Sequence, residues 1–473
     1  MKSRRCNFLK LLLLITFLLV LISFLHHIPT LLSPTPTPLF PTQALPTKTG
    51  YLSVNPSTTS SIFYAFYEAQ NPISPLFQTP LIIWLQGGPG CSSMVGNFFE
   101  LGPWRVTSQK TSSSETFALE PNAGFGMAFS CCNTKSRLLH RRPGLLWQNL
   151  GSAPSATETT SLVWSFGQHP INNTRASPFT SNVANVEKRA STKITSTPKE
   201  IPRDQLSDQD LFAVITSFIE LDPLLFKSRP VYFAGESYAG KFVLSCNAYY
   251  SGLINKRQKS ELEKVQWEAI KLTRMRKWKE ATDARSKVLQ MLQAMTGLST
   301  LHDYSKKVPY TTEMVSAFLS KKEVKKALGL KDWMIYDVCN NDVAAALHDD
   351  FMKSVKFMVE FLVKKSKVLL YQGHFDLRDS VVSTKAWVKT IKWEGLSQFL
   401  MAKRKVWRVN GDLSGYVQKW GNLSHVVVLG AGHLVPIDQA LSSQAMIEDW
   451  VLEERVVWLR GKGGCGITFF CFC

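Results

Sequence analysis

The sequence predicts an α/β fold, with a mostly parallel sheet flanked by helices. Four apolar runs of strand length each end at a glycine-rich break, and amphipathic helical patterns lie between them. The chain has 473 residues, 45% of them hydrophobic and 19% charged, so it can bury a sizeable core. The net charge of +19 is dispersed, and the sequence has neither zinc-ligand spacing nor a phosphate-binding loop. We therefore expect no nucleic-acid partner, no metal and no cofactor.

The N-terminal sequence predicts a targeting segment. Its basic start, "MKSRR", precedes an apolar run from Leu11 to Leu25, which matches a secretory signal peptide and is short for a membrane-spanning helix. We expect a signal peptide over residues 1–30 and a Pro/Thr-rich linker over residues 31–49. The mature protein is then extracellular or vacuolar, without stable membrane association. A signal anchor that is not cleaved is the alternative.

The cysteines and sequons fit a protein of the secretory route. There are 9 cysteines, and in an oxidising compartment some of them should pair, although the sequence does not give the pairing. Sequons at Asn172 and Asn422 predict glycosylation sites. Neither the oligomeric state nor the substrate side-chain preference follows from the sequence.

The first predicted strands precede residue 90. Tyr51–Val54 and the aromatic-rich run after it predict a hairpin. Leu81 to Leu85 is a continuous apolar run that ends abruptly at "QGGPG". A buried strand that breaks into a glycine turn is a common place for a functional site at a sheet edge.

The interval 122–197 has a different character. It is rich in Ser, Thr, Asn, Arg and Pro, and it has little periodicity. A structureless stretch of this length is rare inside a compact domain. We therefore expect residues 122–197 to be disordered, either as an insertion or as a segment foreign to the fold.

Helix and strand patterns return after residue 200. The predicted elements are, in chain order, a helix over 211–219, a strand at Val231–Ala234, helices over 255–295, a helix at Glu313–Leu328, a strand at Val368–Tyr371, a hairpin turning at Asn410–Gly411, a strand at Val426–Leu429 and a helix at Ala440–Leu459. Each of the three single strands runs into a glycine-rich break that carries one polar residue able to do chemistry.

Those three polar residues are Ser237, Asp376 and His433. Parallel strands flanked by helices direct such breaks to one edge of a sheet, so we expect the three side chains to meet. A serine hydroxyl is a weak nucleophile until an imidazole takes its proton, and the imidazole needs a carboxylate to fix its tautomer. The chain order Ser, Asp, His is that of the α/β-hydrolases.

The stretch "AGESYAG" predicts a sharp turn from strand to helix. Gly235 and the small pair Ala239–Gly240 permit this turn, which lifts Ser237 out of the sheet. The oxyanion of an acyl-transfer reaction needs donors, commonly the backbone N–H after the nucleophile and one from an earlier strand-end loop. We expect these donors to be the amides of Tyr238 and Gly88.

Five longer motifs carry a family resemblance: "WLQGGPGCSSM", "NFFELGPWRV", "PVYFAGESYAGK", "VLLYQGHFD" and "GAGHLVPIDQ". They are similar to motifs of the serine carboxypeptidase family, in particular its plant serine carboxypeptidase-like branch. The resemblance implies an α/β-hydrolase sheet in a domain over 50–460, with a helical insertion over 255–310 and a tail over 461–473. It also implies removal of C-terminal residues from peptides, and some relatives instead transfer small acyl groups from sugar esters.

The resemblance also assigns roles to residues of this sequence. It implies that Ser237 is the nucleophile, Asp376 the orienting acid and His433 the base. It implies that Gly88 and Tyr238 form the oxyanion hole.

Gln86 and Glu236 fall where the family holds the terminal carboxylate of its substrate. Two carboxylates close together repel strongly in a low-dielectric cleft unless they share a proton. We therefore expect the pKa of Glu236 to be raised and peptidase activity to be highest at acidic pH. The family more often has asparagine at the position of Gln86, and the longer side chain weakens the expectation of carboxylate specificity.

Two departures from the family predict a sheet disrupted by an aberrant insertion and a deletion. Between Glu120 and Lys199 the family's tryptophan-containing turn and apolar strand are missing. We interpret the sequence that replaces them as a translated intron. After "SYAGKF" several tens of residues of the family pattern are absent. Each break would remove a central strand and leave buried backbone groups unpaired, at about 1–3 kcal/mol each. A catalytically defective relative is therefore a further alternative.

Overall fold

The structure is a computed structural model, and it describes residues 15–23, 39–55, 60–68, 75–88, 91–110, 115–122, 145–148, 161–165, 216–226, 229–235, 244–354 and 356–452. No helix within these residues has the length and apolar character needed to cross a membrane. The two longest stretches contain the helical insertion and the second half of the main sheet.

The strands of the described residues are β1 (Lys48–Asn55), β2 (Ser60–Tyr67), β3 (Leu81–Leu85), β4 (Trp104–Lys110), β5 (Glu115–Pro121), β6 (Leu145–Gln148), β7 (Ser161–Ser165), β8 (Val231–Gly235), β9 (Val368–Gly373), β10 (Lys405–Val409), β11 (Asp412–Trp420) and β12 (Leu423–Val428). One sheet has the order β1-β2-β6-β3-β8-β7-β9-β12-β11-β10, and β4 pairs with β5 separately. The strands and hairpins that the sequence predicts are present, and β12 begins earlier than expected.

The four strands that the sequence predicts from apolar runs, β3, β8, β9 and β12, run in the same direction. β3 is parallel to β8, and β9 is parallel to β12. β7 lies between the two pairs and is antiparallel to both β8 and β9, so these two strands share one direction. The carboxyl ends of β3, β8, β9 and β12 therefore lie at one edge of the sheet, as the α/β fold predicts.

The apolar core lies on both faces of the sheet, because alternate residues of a strand point to opposite faces. In β3, Ile82 and Trp84 join one buried cluster, while Leu81, Ile83 and Leu85 join another. β3, β9 and β12 are buried along their whole length. Burial on both faces explains why these strands are continuous apolar runs rather than alternating patterns.

The described residues are helical at 15–23 and 216–219. Their further α-helices are α1 (Pro223–Phe226), α2 (Leu244–Tyr250), α3 (Lys256–Arg274), α4 (Trp278–Thr296), α5 (Glu313–Leu319), α6 (Lys322–Leu328), α7 (Asn341–Ala346), α8 (Lys356–Lys365), α9 (Val381–Val388), α10 (Leu396–Met401), α11 (Val435–Asp438) and α12 (Ala440–Leu452). The single helix predicted from 313 to 328 is two helices, because Lys321 has an extended backbone (φ −68°, ψ 136°). The start of the helix predicted at 211 and the end of the last helix lie outside the described residues.

Helices α3 and α4 form the helical insertion. α3 begins at a capping box, in which the side chain of Asn255 accepts from the Gln258 amide and the side chain of Gln258 accepts from the Asn255 amide. The two helices pack against each other through a buried cluster that includes Leu262, Val288 and Leu292. This apolar face explains the amphipathic pattern that the sequence has in this region.

The sheet differs from expectation at two places within 122–197. β6 lies between β2 and β3, and β7 lies between β8 and β9. Their sequences, "LLWQ" and "SLVWS", contain branched and aromatic residues that suit a buried strand. The sequence analysis expected disorder throughout this interval and lost strands in the middle of the sheet, whereas the described strands pair continuously across it. The rest of the interval lies outside the described residues.

Candidate active site

The candidate site lies at the edge where the four parallel strands end. Leu85 at the end of β3 pairs with Gly235 at the end of β8, and Gly373 at the end of β9 pairs with Val428 at the end of β12. Within each pair the two strands therefore end level, and the loops that follow them start side by side.

The predicted site residues divide into two groups. Those that the structure describes are Gln86 and Gly88 after β3, Asp376 after β9 and His433 after β12. Those that lie outside the described residues are Glu236, Ser237 and Tyr238, which follow β8 in the chain, and Asn172. The structure brings Asp376 and His433 together, as predicted.

The carboxylate of Asp376 holds the imidazole of His433. The ring Nδ1 lies 2.7 Å from Asp376 Oδ2, and both side chains are buried. Because an ionised carboxylate only accepts hydrogen bonds, Nδ1 carries the proton and donates it, which leaves Nε2 as the basic nitrogen of the neutral ring. Asp376 Oδ1 accepts from the backbone amides of Arg378, at 2.8 Å, and Asp379, at 2.9 Å. These two donors fix the orientation of the carboxylate.

The loops that carry the pair approach so closely that one position must be glycine. A Cβ on Gly373 would lie 2.0 Å from the carbonyl oxygen of Gly432, the residue before His433. The two loops are also joined by the Phe375 amide, which donates to the Ala431 carbonyl at 2.8 Å. Gly373, the last residue of β9, therefore lies where the loop that carries Asp376 contacts the loop that carries His433.

A second carboxylate, which the sequence analysis missed, also faces the ring of His433. Asp379 Oδ2 lies 3.5 Å from His433 Nδ1, and this side chain is buried too. Burial alone would lower the pKa of His433, but Asp376 and then Asp379 outweigh it, and the pKa is raised above its ordinary value. The spacing "DLRD" was the available signal, because it places a second acid one turn after the first.

A second imidazole, also missed, packs against the first. The rings of His302 and His433 meet edge to face with their centroids 5.0 Å apart. His302 Nε2 lies 2.9 Å from a guanidinium nitrogen of Arg378, which can only donate, so the ring is held as an acceptor. Burial, His433 and Arg378 lower the pKa of His302 to about 2. His302 therefore stays neutral.

The segment that leaves the helical insertion is bonded to the loop that carries Asp376 and to the loop that carries His433. The carbonyl of Leu301 accepts from the amides of Leu377, at 3.1 Å, and Arg378, at 3.2 Å, and the carbonyl of His302 accepts from the amide of His433 at 2.7 Å. We call residues 301–304 the exit segment, because they follow α4 and connect it to the site. The acid and the base are thus held in part by the insertion, which the sequence alone did not indicate.

Gln86 belongs to a buried polar group below the loop of β3. Its Oε1 accepts from the Trp84 indole at 2.8 Å, and its Nε2 donates to Glu100 Oε1 at 3.1 Å. Gln86 and Glu100 are both buried, and Glu100 is fully inaccessible. Glu100 is the acid of "NFFELGPWRV", and a lone Glu in an apolar stretch is a sequence signal for such a buried polar group.

The loop that contains Gly88 is fixed by a disulfide. Gly88 has φ +123°, a conformation that other residues rarely adopt. Cys91, three residues on, is bonded to Cys339, and Ser92 donates its amide to the Val338 carbonyl at 2.9 Å. The loop thus has one unusual backbone conformation and a covalent anchor beside it. The sequence left the cysteine pairing open, and this pair resolves part of it.

Asn422, the second predicted glycosylation site, is half-buried before β12. Its Nδ2 donates to the carbonyl of Val363 at 3.0 Å. This nitrogen is the atom that would bear a glycan. One of its two amide hydrogens makes this bond, so a glycan at Asn422 would have to replace the other.

Comparison with known proteins agrees with the motifs. The family model described as serine carboxypeptidase matches residues 37–122 and 244–453. Serine carboxypeptidase-like 50 of Arabidopsis thaliana is 41% identical over 448 residues, which cover 87% of this chain and 88% of the relative. Probable serine carboxypeptidase CPVL of Homo sapiens is 25% identical over 452 residues, 85% of this chain and 82% of that protein. The crystal structure of Kex1(Δ)p, a prohormone-processing carboxypeptidase from Saccharomyces cerevisiae, has a TM-score of 0.61 at 20% identity and covers 89% of this chain and 93% of that one.

Proposed function

Because the chain belongs to the serine carboxypeptidase family, we propose that it is a serine-type carboxypeptidase that releases C-terminal amino acids from peptides. The observation that carries the proposal is the buried pair of His433 and Asp376, in which Nδ1 is held at 2.7 Å by a carboxylate. This hydrogen bond makes Nε2 the basic nitrogen of the ring, and a serine nucleophile requires such a base.

The reaction proposed for this site has two steps. His433 Nε2 takes the proton of Ser237 while the serine oxygen attacks the last peptide carbonyl, and the amides of Gly88 and Tyr238 stabilise the oxyanion. The C–N bond breaks as His433 returns the proton to the leaving amino group, which gives an acyl-enzyme. Water then attacks the ester, again with His433 as the base, and releases the shortened peptide and the free serine.

Recognition of the peptide C-terminus is proposed for Gln86 and Glu236. Gln86 already donates one amide hydrogen to buried Glu100, so its second amide hydrogen is the one available to a substrate carboxylate. Glu236 would have to share a proton with that carboxylate, so peptide binding is expected to weaken as the pH rises and this proton leaves. Acidic-pH activity follows from this proposal.

Two alternatives remain within the same fold. Acyl transfer from a sugar ester uses the same acyl-enzyme with an alcohol in place of water. It is favoured by the longer side chain of Gln86, whose amide oxygen and nitrogen are bonded to Trp84 and Glu100, because this restricts the carboxylate site. A catalytically defective relative is the other alternative. It is favoured by the family match, which leaves out 123–243 and thus Ser237.

Covalent labelling separates an enzyme from a defective relative. A fluorophosphonate should label the full-length protein at Ser237, as identified by peptide mapping, and should not label the Ser237→Ala variant. Release of a free amino acid from an N-blocked dipeptide, compared with acyl transfer from a glucose ester, then distinguishes the two reactions. Folded protein that is not labelled at Ser237 would contradict both enzymatic functions.

The proposed location is the secretory route, ending outside the cell or in the vacuole. The disulfide between Cys91 and Cys339 supports it, because disulfides form and persist in oxidising compartments. The proposed partners are peptide C-termini or small acyl substrates, and no part of the proposal involves nucleic acid.

A further inference from the structure

Asp379 is an acid that the proposed reaction does not use. Its carboxylate is buried and lies 3.5 Å from His433 Nδ1, the same nitrogen that is hydrogen-bonded to Asp376. It directly precedes Ser380, the N-cap of α9, whose side chain accepts from the Ser383 amide. The helix is therefore capped without it, and Asp379 is not needed for that purpose.

The two carboxylates differ in the support that they receive. Asp376 accepts two backbone amides on Oδ1 and the imidazole on Oδ2. By contrast, no described residue donates a hydrogen bond to Asp379 Oδ1. A buried carboxylate with little hydrogen bonding is stabilised in its charged form chiefly by a nearby positive charge. Here that charge is the protonated ring of His433.

The charged groups around the ring come from several elements. Asp376 and Asp379 face Nδ1, and Arg378 lies between them in the chain with its guanidinium on His302. Arg285 on α4 acts on Asp379 from the insertion side, and it is the second cation of this group. His302 stays neutral and contributes no charge. Burial raises the pKa of Asp379, which His433 partly offsets.

We propose that Asp379 is a positioning residue that sets the lower pH limit of the enzyme. Its carboxylate keeps His433 protonated at pH values at which a ring that faced only Asp376 would already have lost its proton. This inference rests on the proposed role of His433 as the base. The two groups titrate together, and the proposal assigns their shared proton to the imidazole rather than to Asp379. A protonated His433 cannot take the proton of Ser237, so the acid limb of the activity profile lies at the pH where that proton leaves.

The test compares wild type with Asp379→Asn, which keeps the shape of the side chain and removes its charge. The rate of fluorophosphonate labelling is measured against pH. This reaction needs His433 but no substrate carboxylate, so the protonation of Glu236 does not affect it. The acid limb should move to lower pH by about one unit, the lower end of the effect of an opposite charge at this distance. Asp379→Glu should restore most of the wild-type limb.

A second measurement does not depend on a working nucleophile. The Nδ1 proton of His433 gives a downfield NMR signal whose pH titration should show the same shift in Asp379→Asn. If wild type is not labelled at all, the proposed function fails, while the NMR titration still decides on Asp379.

The matched control is Ser380→Ala, which removes the cap of α9 next to Asp379 without changing a charge. It should lower the melting temperature and leave the titration of His433 in place. An Asp379→Asn titration that coincides with wild type would show that Asp379 holds the proton itself, and the proposal would be overturned.

Discussion

Gly88 illustrates how one backbone angle can matter to chemistry. Its φ of +123° lies in a region where a Cβ is strained, at a cost of about 1–3 kcal/mol. A residue in this loop that relaxes to negative φ would turn its amide to another direction. The proposed oxyanion hole therefore depends on a glycine at this position.

The first prediction concerns this glycine. Gly88→Ala should lower kcat by about 100-fold or more, as does the loss of one oxyanion donor in other acyl-transfer enzymes. The measurement is peptidase kcat, or labelling rate if no peptide is cleaved. The control is Gly252→Ala, which has φ +72° and open space around it, so it carries similar backbone strain away from the site. Equal activity losses in both variants would refute a role for the Gly88 amide.

At the scale of elements, one residue of the loop that carries Asp376 packs into the core of the helical insertion. Leu377, which follows Asp376, is fully buried in the cluster of the insertion that includes Leu262 and Leu292. Its amide also donates to Leu301 in the exit segment. The packing of α3 and α4 therefore bears directly on the acid that holds the imidazole.

Leu377→Ala should disturb both stability and catalysis. The cavity should cost about 2–5 kcal/mol of unfolding free energy. Labelling at Ser237 should also slow in the fraction that remains folded, because Asp376 loses its neighbour. Leu328→Ala is the control, since Leu328 on α6 is equally buried in a different cluster. A labelling rate as high in Leu377→Ala as in Leu328→Ala would mean that the insertion does not position the acid.

The disulfide is the second link between distant elements. Cys91 and Cys339 are 248 residues apart in the chain, and closing such a long loop restricts the unfolded chain. Replacing both by serine should cost about 2–5 kcal/mol of stability, measured by denaturant unfolding. Mild reduction of wild type should give the same loss. A double variant as stable as wild type would show that the backbone bonds around Ser92 are sufficient to anchor the loop.

At the scale of the whole molecule, half-buried His302 and buried His425 make the fold sensitive to acid. Burial lowers the pKa of His302 to about 2 and that of His425, which is bonded to Gln372, to about 3. Both stay neutral in the folded protein, whereas the unfolded chain takes up protons below its ordinary pKa of about 6.5. Their stabilising effect is thus complete above that pH and is lost as the pH falls. His433 has the opposite sign, because its raised pKa adds stability at low pH that is lost as the pH rises through the raised value.

His302→Gln should therefore make stability less dependent on pH. Between pH 7 and pH 5, the loss of unfolding free energy should shrink by about 2 kcal/mol relative to wild type. His425→Gln should act in the same direction, and because the two rings share no hydrogen-bond partner within the described part of the chain the effects should add. Unfolding in urea at a series of pH values measures both. An unchanged slope in the double variant would contradict the neutral state assigned to these rings.

The sequence allowed the four parallel strands and the pair of Asp376 and His433 to be predicted, for a common reason. Each is a local signal, an apolar run that ends in glycine, and the rules of parallel sheets bring such ends together. Asp379, His302 and Glu100 were missed because their roles depend on contacts between loops and helices far apart in the chain. β6 and β7 were missed because each has only a few apolar residues in a polar interval. No periodicity marks a strand that short.

The exit segment also constrains the order in which the molecule can be made. Residues 301–304 leave the ribosome well before residue 433, and the carbonyl of His302 gains its partner, the amide of His433, only after that later loop has been synthesised. Until that loop arrives, the acid has no ring to hold and the ring has no acid. Under the proposed mechanism, a nascent chain that ends before residue 433 lacks the base and cannot cleave a peptide.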